Sequence, residues 1–305
     1  MRFFLVGPTA SGKTGVALEL ARRMPIEVIS LDSMSLYQGM DIGTAKPTAA
    51  ERAAVMHHLI DVAEPTESFS VGRYLAAAQG VMAEVEVRGR TPVFVGGTPL
   101  YLKALVDGLF DGPPADPEIR AELEARAAAE GLGALHEELT RVDPQSAARI
   151  HPNDAKRIIR ALEVWRKTGQ PLGALQTQWT QPAAAQDVRI AGLAWERAEL
   201  YRRIEARVDR MFEAGLVDEV RGLSAKYGRL GREASQALGY KEVLAHLEGG
   251  PGLAETVALV KRNTRRMAKR QLTWFRSFEQ IRWFEMGGKS SPAAVASGVE
   301  GYFRG

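Results

Sequence analysis

Apolar and polar positions divide the chain into two kinds of region. In the first, short apolar runs alternate with helical patterns. Phe3–Val6, Ile26–Ser30 and Thr91–Val95 have strand length and are bounded by turn residues. Val16, Leu18, Leu20 and Ala21, spaced among polar residues, give a helix after the first run. His57-His58 precede a further apolar run, "LIDV", that reads as a strand. Strands alternating with helices predict an α/β fold, a parallel sheet flanked by helices.

From Asp116 the pattern becomes helical with no strand between helices. Asp116-Pro117 is a cap followed by proline at the first helical position, opening a helix that ends near Gly131. Leu132–Val142 reads as a second helix, Asp143-Pro144 opens a short third, and Asn153–Gly169 is a fourth. This block, residues 116–185, is expected to be an all-helical insertion. It would divide a discontinuous core of residues 1–115 and 186–305, with Gln178–Gln186 as the return linker. Beyond it, a helix is expected from Arg202 through Val220, with Arg203, Arg207 and Arg210 on one face by i, i+4, i+7 spacing. Their default reading is a solvated surface. A last helical pattern, Leu259–Arg276, sets Arg262, Arg265, Arg266, Lys269 and Arg276 against Val260, Thr264, Met267, Ala268, Trp274 and Phe275. That cationic face suits a wall facing phosphates. The Gly/Ser/Ala-rich end from Gly287 is expected to be loosely held.

Composition adds limits. The chain has 305 residues, with Lys+Arg 40 against Asp+Glu 37, so the clustering of charge carries more information than its sum. There is no cysteine, which excludes disulfides and thiolate metal sites. No apolar run approaches the ~20 residues of a membrane helix, and "FFLV" is too short for a secretory signal core. A cytoplasmic protein without a membrane partner is expected.

The chemistry begins at "LVGPTASGKT". Gly7-Pro8-Thr9-Ala10-Ser11-Gly12-Lys13-Thr14 fits G-x-x-x-x-G-K-[ST] between a strand and a helix. Glycines let backbone N–H groups converge on phosphate oxygens, and the helix N-terminus adds positive charge. Lys13 neutralises phosphate, and the Thr14 hydroxyl can hold Mg²⁺. The motif implies a diphosphate without saying which one. A motor-type ATPase usually ends a later strand in an acidic residue for Mg²⁺. Here that strand runs into Gly96-Gly97-Thr98, and the acid sits earlier, at Asp32. Strand C-terminal ends line the cleft of a parallel sheet, so Asp32 and Thr98 are expected to face the phosphate loop. Asp32 can be a turn cap, a residue that holds a water bound to Mg²⁺, or a general base.

Seven segments in this order resemble the bacterial tRNA dimethylallyltransferase (tRNA isopentenyltransferase) family: "GPTASGKT", "DSMSLYQGMDIGTAKP", "HHLID", "GGTPLYLKAL", "RIHPNDAKRIIRALEVW", "QALGYKE" and "RQLTWFR". The resemblance implies a P-loop NTPase-like core with a helical tRNA-binding insertion. It implies transfer of dimethylallyl from dimethylallyl diphosphate to N6 of adenosine 37, beside the anticodon. Gly7–Thr14 would hold the diphosphate, joined by Arg207. Asp32 would be the general base, with Lys13, Thr14 and Arg207 as its catalytic company and Mg²⁺ as cofactor. Matches to tRNA-contacting positions are Asp32, Ser33, Met34, Ser35, Thr98, Arg120, Lys156, Arg157, Ile158, Ile159, Arg160, Gln236, Ala237, Leu238, Gly239, Tyr240 and Lys241. The partners implied are the tRNA anticodon stem-loop and dimethylallyl diphosphate, with the protein acting as a monomer. The alternatives are an adenylate isopentenyltransferase and a small-molecule P-loop kinase using ATP.

Overall fold

The structure is a computed structural model describing residues 1–108, 112–175, 188–287 and 290–305. Two compact units are present: Met1–Ala104 with Gln186–Gly305, and Leu105–Ala185. The expected return linker at Gln178–Gln186 lies outside the described residues.

The first unit opens with β1 (Arg2–Val6), α1 (Lys13–Ala21), β2 (Ile26–Leu31), α2 (Ala49–Ala54), β3 (His57–His58), α3 (Val71–Val87), β4 (Thr91–Gly96) and α4 (Pro99–Asp107), the last crossing into the second unit. The helical unit continues with α5 (Pro117–Glu130), α6 (Leu132–Val142), α7 (Pro144–Arg149), α8 (Ala155–Thr168) and α9 (Leu172–Leu175). The chain then returns through β5 (Val188–Trp195), α10 (Arg197–Glu213), α11 (Leu216–Tyr227), α12 (Tyr240–Leu247), α13 (Leu253–Phe275), β6 (Ile281–Met286) and α14 (Pro292–Arg304).

The six strands form one sheet in the order β3-β2-β4-β1-β5-β6, and every described pairing is parallel. Parallel sheets buried on both faces require apolar strands, and β2 is buried at every position. The ends are level: Gly96 is paired with both Val6 and Leu31. The segments after β1, β2 and β4 therefore leave the sheet side by side.

Four expectations need correction. The strand beside β2 is His57–His58 itself, and "LIDV" turns away, with Leu59 and Asp61 at positive φ. The helix expected from Arg202 through Val220 breaks at Gly215, whose φ of 97° suits glycine and ends the run. The C-terminal segment is an ordered helix. Ser291 caps it, proline opens it, and Val295, Ala296, Val299 and Phe303 join the core that also holds Val16, Ala17 and Leu20 of α1. Trp274, expected on the packed face of α13, is 36% exposed, whereas Phe275 is buried.

The helical unit has a core of its own, including Leu123, Leu135, Leu139, Ile158 and Leu162. Each such fully buried side chain is worth roughly 1.5–3 kcal/mol. Asp116, Asp143 and Asp154 cap α5, α7 and α8 through their side chains. Glu163, fully buried, accepts from Arg120 Nε at 2.9 Å, Arg160 Nη1 at 2.6 Å and Asp116 N at 2.6 Å. Burial opposes its charge, but these bonds outweigh it and hold the carboxyl below its ordinary value.

Candidate active site

The phosphate loop takes the shape its sequence requires. Gly12 sits at φ 91°, and Ala10 also has positive φ, at 63°. Lys13 starts α1, and its Nζ donates to Gly7 O at 3.0 Å and Pro8 O at 2.8 Å. Burial, then the neighbouring Arg207 charge, pushes the Lys13 amine down to about 7, with Asp32 opposing.

A cavity of about 630 Å³ opens over this loop, lined by Thr9–Thr14, Asp32, Thr98, Arg203, Arg207, Arg210 and Gln271 among others. All of these belong to the first unit. Asp32 follows the last residue of β2. Its Oδ1 accepts from Met34 N at 2.9 Å, so it caps a turn while its carboxylate also lines the cavity. Thr98 Oγ1 accepts from Ser33 N at 3.1 Å, joining the turns after β2 and β4. Behind Asp32, Tyr74 and Tyr101 stack at 3.8 Å, and burial holds both phenols neutral.

Close packing explains the glycines after β4. A Cβ on Gly96 would lie 2.1 Å from Leu31 O, and one on Gly97 would lie 2.9 Å from Gln271 Nε2. An acidic side chain at either position would collide with its neighbours.

Of the three α10 arginines whose default reading is a solvated surface, Arg203 and Arg207 are half-buried, whereas Arg210 is exposed. Arg203, Arg207 and Arg210 all line the cavity. Arg207 Nη2 donates to Thr44 O at 3.3 Å and has no carboxylate at ion-pair distance among the described residues. Burial lowers its pKa, and Asp32 opposes that shift. A cation desolvated beside a lysine and lacking an acidic partner is suited to an anion.

Three residues that sequence reasoning did not single out as site residues hold the phosphate loop. Gln271 accepts from Thr9 N at 3.0 Å and donates to Gly97 O at 2.6 Å. Trp195 Nε1 donates to Ser11 O at 2.9 Å. Arg203 Nε donates to Ala10 O at 3.0 Å, with its guanidinium 4.2 Å from the Trp195 ring centroid. Gln271 had a signal in the sequence: it falls at i+4 from Met267 and i+7 from Thr264, a polar amide on the face opposite the charges.

The remaining candidates are scattered. Ser33, Met34 and Ser35 line the cavity, as do Ala237 and Leu238, whereas Gln236 and Lys241 are exposed. Tyr240 is buried and donates to Glu219 Oε1 at 2.6 Å. In the helical unit, Lys156 and Arg157 are exposed. Ile158 and Ile159 are buried in its core, so their side chains serve packing. Arg120 and Arg160 are engaged with Glu163. On α13, Arg265 pairs with Glu205, while Arg262, Arg266, Lys269 and Arg276 are exposed without an ion pair among the described residues.

A phosphate loop at the end of a parallel sheet, facing a carboxylate and converging cations, defines a P-loop-like enzyme of group transfer. The chain belongs to the IPP transferase family: that family's model matches residues 35–278, and the isopentenyl transferase model matches residues 1–62. Proteins named tRNA dimethylallyltransferase from Geobacter metallireducens and Methylibium petroleiphilum are 47% and 52% identical to it. The first alignment covers 97% of this chain and 96% of the relative; the second covers 89% and 85%. The full-length tRNA isopentenylpyrophosphate transferase of Bacillus halodurans superposes with TM-score 0.72 at 42% identity, over 99% of this chain and 96% of that one. A eukaryotic dimethylallyltransferase crystallised while acting on tRNA gives TM-score 0.78 at 26% identity, covering 93% and 73%.

Proposed function

We propose that this chain transfers a dimethylallyl group from dimethylallyl diphosphate to N6 of adenosine 37 in the anticodon loop of tRNA. The observation that carries the reading is the shared cavity: a complete phosphate loop, Arg207 and the Asp32 carboxylate line one space. A donor diphosphate on the loop and an acceptor amine near Asp32 would be within reach of one another.

In this mechanism N6 attacks the C1 carbon of the dimethylallyl group. The C1–O bond breaks, and diphosphate leaves with the electron pair. The N6 lone pair is delocalised into the purine, so the attack needs a base; Asp32 takes the N6 proton as the C–N bond forms. The allylic cation is stabilised by resonance, and the protein's main task is to stabilise the departing diphosphate. Loop N–H groups, Lys13 and Arg207 supply that, each preorganised donor being worth on the order of 3 kcal/mol. Among the described residues no three metal-binding side chains converge, so a protein-only metal cage is not built there. The Thr14 hydroxyl fits Mg²⁺, which keeps waters and binds mainly through substrate phosphates, and this leaves the Asp32 carboxylate to act as the base. Bound there, the ion would neutralise diphosphate charge. The adenine must leave its stack to reach Asp32, at a cost of a few kcal/mol that phosphate contacts to Lys156, Arg157 and the free α13 cations would offset.

The test is transfer of labelled dimethylallyl to unmodified tRNA with Mg²⁺, beside AMP and an ATP-turnover assay. Asp32→Asn keeps an oxygen for Met34 N and removes the base. It is expected to lower turnover at least a hundredfold with tRNA affinity within twofold. Label on AMP alone, or ATP turnover without prenyl transfer, would overturn the reading.

A further inference from the structure

A loop bordering the site is held by a carboxylate that the mechanism does not use. Glu219, in the first turn of α11, accepts three consecutive backbone N–H groups: Asp41 at 3.0 Å, Ile42 at 2.7 Å and Gly43 at 3.3 Å. Tyr240 O–H adds a fourth bond at 2.6 Å. Successive N–H groups aimed at one anion form a nest, and here the anion is the protein's own.

The loop so held borders the cavity. Gly43, Thr44 and Ala45 line it, and the Thr44 carbonyl accepts from Arg207. The loop is tight: Ala45 has φ 48°, and a Cβ on Gly43 would lie 2.4 Å from the Tyr240 ring. Its other end is tied down by buried Lys46, which donates to Tyr37 O, Asp61 and also Asp41 of the Glu219-held stretch. Between these anchors Thr44 Oγ1 donates to Met40 O and Ala45 N to Ile42 O, so Thr44 sits in a turn whose leading residues Glu219 holds. The Thr44 carbonyl is the only hydrogen-bond partner of the Arg207 guanidinium among the described residues.

We infer that Glu219 is a positioning residue for the donor diphosphate: by holding residues 41–43 it sets Thr44 O, which aims Arg207 into the cavity. Tyr240 orients the carboxylate from the opposite side. Glu219 touches neither donor nor acceptor. The inference rests on the proposed function only in naming the anion as the donor's diphosphate.

The test is a double-mutant cycle read by calorimetry with inorganic diphosphate, alongside the KM for dimethylallyl diphosphate. Glu219→Ala is expected to weaken diphosphate binding at least tenfold and to raise the donor KM in parallel, with tRNA affinity within twofold. In an Arg207→Gln background the same change should alter diphosphate binding less than twofold, because the group it positions is gone. Tyr240→Phe, which deletes one hydroxyl, should give about a threefold loss that also vanishes in that background; it carries the test if Glu219→Ala does not fold. Equal losses in both backgrounds, or an unchanged diphosphate affinity in a folded Glu219→Ala protein, would overturn the inference. Diphosphate binding without any prenyl transfer by the unsubstituted protein would count against the proposed function, and the cycle would still report on Glu219.

Discussion

Lys13 gives the most direct handle on the phosphate loop. Its amine lies among loop carbonyls and beside Arg207, and its pKa is pushed down to about 7. A diphosphate placed on the loop adds negative charge next to the amine, which favours the cation and raises the pKa. The sign follows: binding takes up a proton wherever Lys13 is neutral beforehand. At pH 8 about a tenth of the free protein carries the Lys13 proton, so binding should take up about 0.9 proton; at pH 6 the uptake should fall to about 0.1. Calorimetry of diphosphate binding in buffers of differing ionisation enthalpy measures this. Lys13→Arg, charged throughout the range, corrects for titration of the diphosphate itself. A second readout is the ¹³Cε resonance of labelled lysine. One signal should titrate near pH 7, be absent in Lys13→Arg, and move out of range with diphosphate. If every lysine midpoint lies above 9.5, or both proteins take up the same protons at pH 8, the reasoning fails.

Three further outcomes are expected. Gly97→Ala brings a Cβ to 2.9 Å from Gln271 Nε2 and 3.3 Å from Gly7 O; steady-state kinetics should show donor KM raised about tenfold, with a stability loss near 1 kcal/mol. Glu163→Ala strips a fully buried carboxylate from Arg120, Arg160 and Asp116 N; urea denaturation should show a loss of about 3 kcal/mol, and less than 1 would refute its structural weight. Glu27, buried under Arg88 and His58, has its carboxyl held down to about 2, chiefly by the Arg88 hydrogen bond. Because the folded pKa is depressed, its contribution is complete above about 4.5 and is lost as pH falls toward 2. Glu27→Gln should cost about 1–2 kcal/mol at pH 7, discounted because Arg88 is 44% exposed, and the gap should close across that window in acid denaturation curves.

Local patterns carried β1, β2, β4 and helices α5 to α8, because these are written in short-range periodicity and caps, whereas β5 and β6 had no strand reading in the sequence. Asp116, Asp143 and Asp154 announce helix starts within a few residues, and the phosphate loop is contiguous. Features requiring the sheet to be assembled were hidden. Arg203 and Arg207 look like any solvated stripe until α10 is set over the loop. Trp195 meets Ser11 across 184 residues of chain and Gln271 meets Thr9 across 262, and no local pattern encodes such a pairing. The tail was misjudged on composition alone: its small residues are those that let α14 lie close to the sheet. The apolar "LIDV" has strand composition, but Leu59 and Asp61 take positive φ and the segment's backbone bonds to Ser35 and Leu36 instead of to a strand, a partner no local pattern reveals.

The sheet order has a consequence for how the protein is made. β1 is synthesised before the other strands, yet it lies between β4 and β5, and β5 begins only at Val188. Contacts this distant in sequence form slowly, whereas the helical unit closes on near neighbours and can finish while the sheet is still open. Trp195, Arg203 and Gln271, which clamp the phosphate loop, all arrive after that unit. A nascent chain therefore carries its entire G-x-x-x-x-G-K-[ST] motif long before it can grip a diphosphate, and binding competence waits until Gln271 has been added and folded into place.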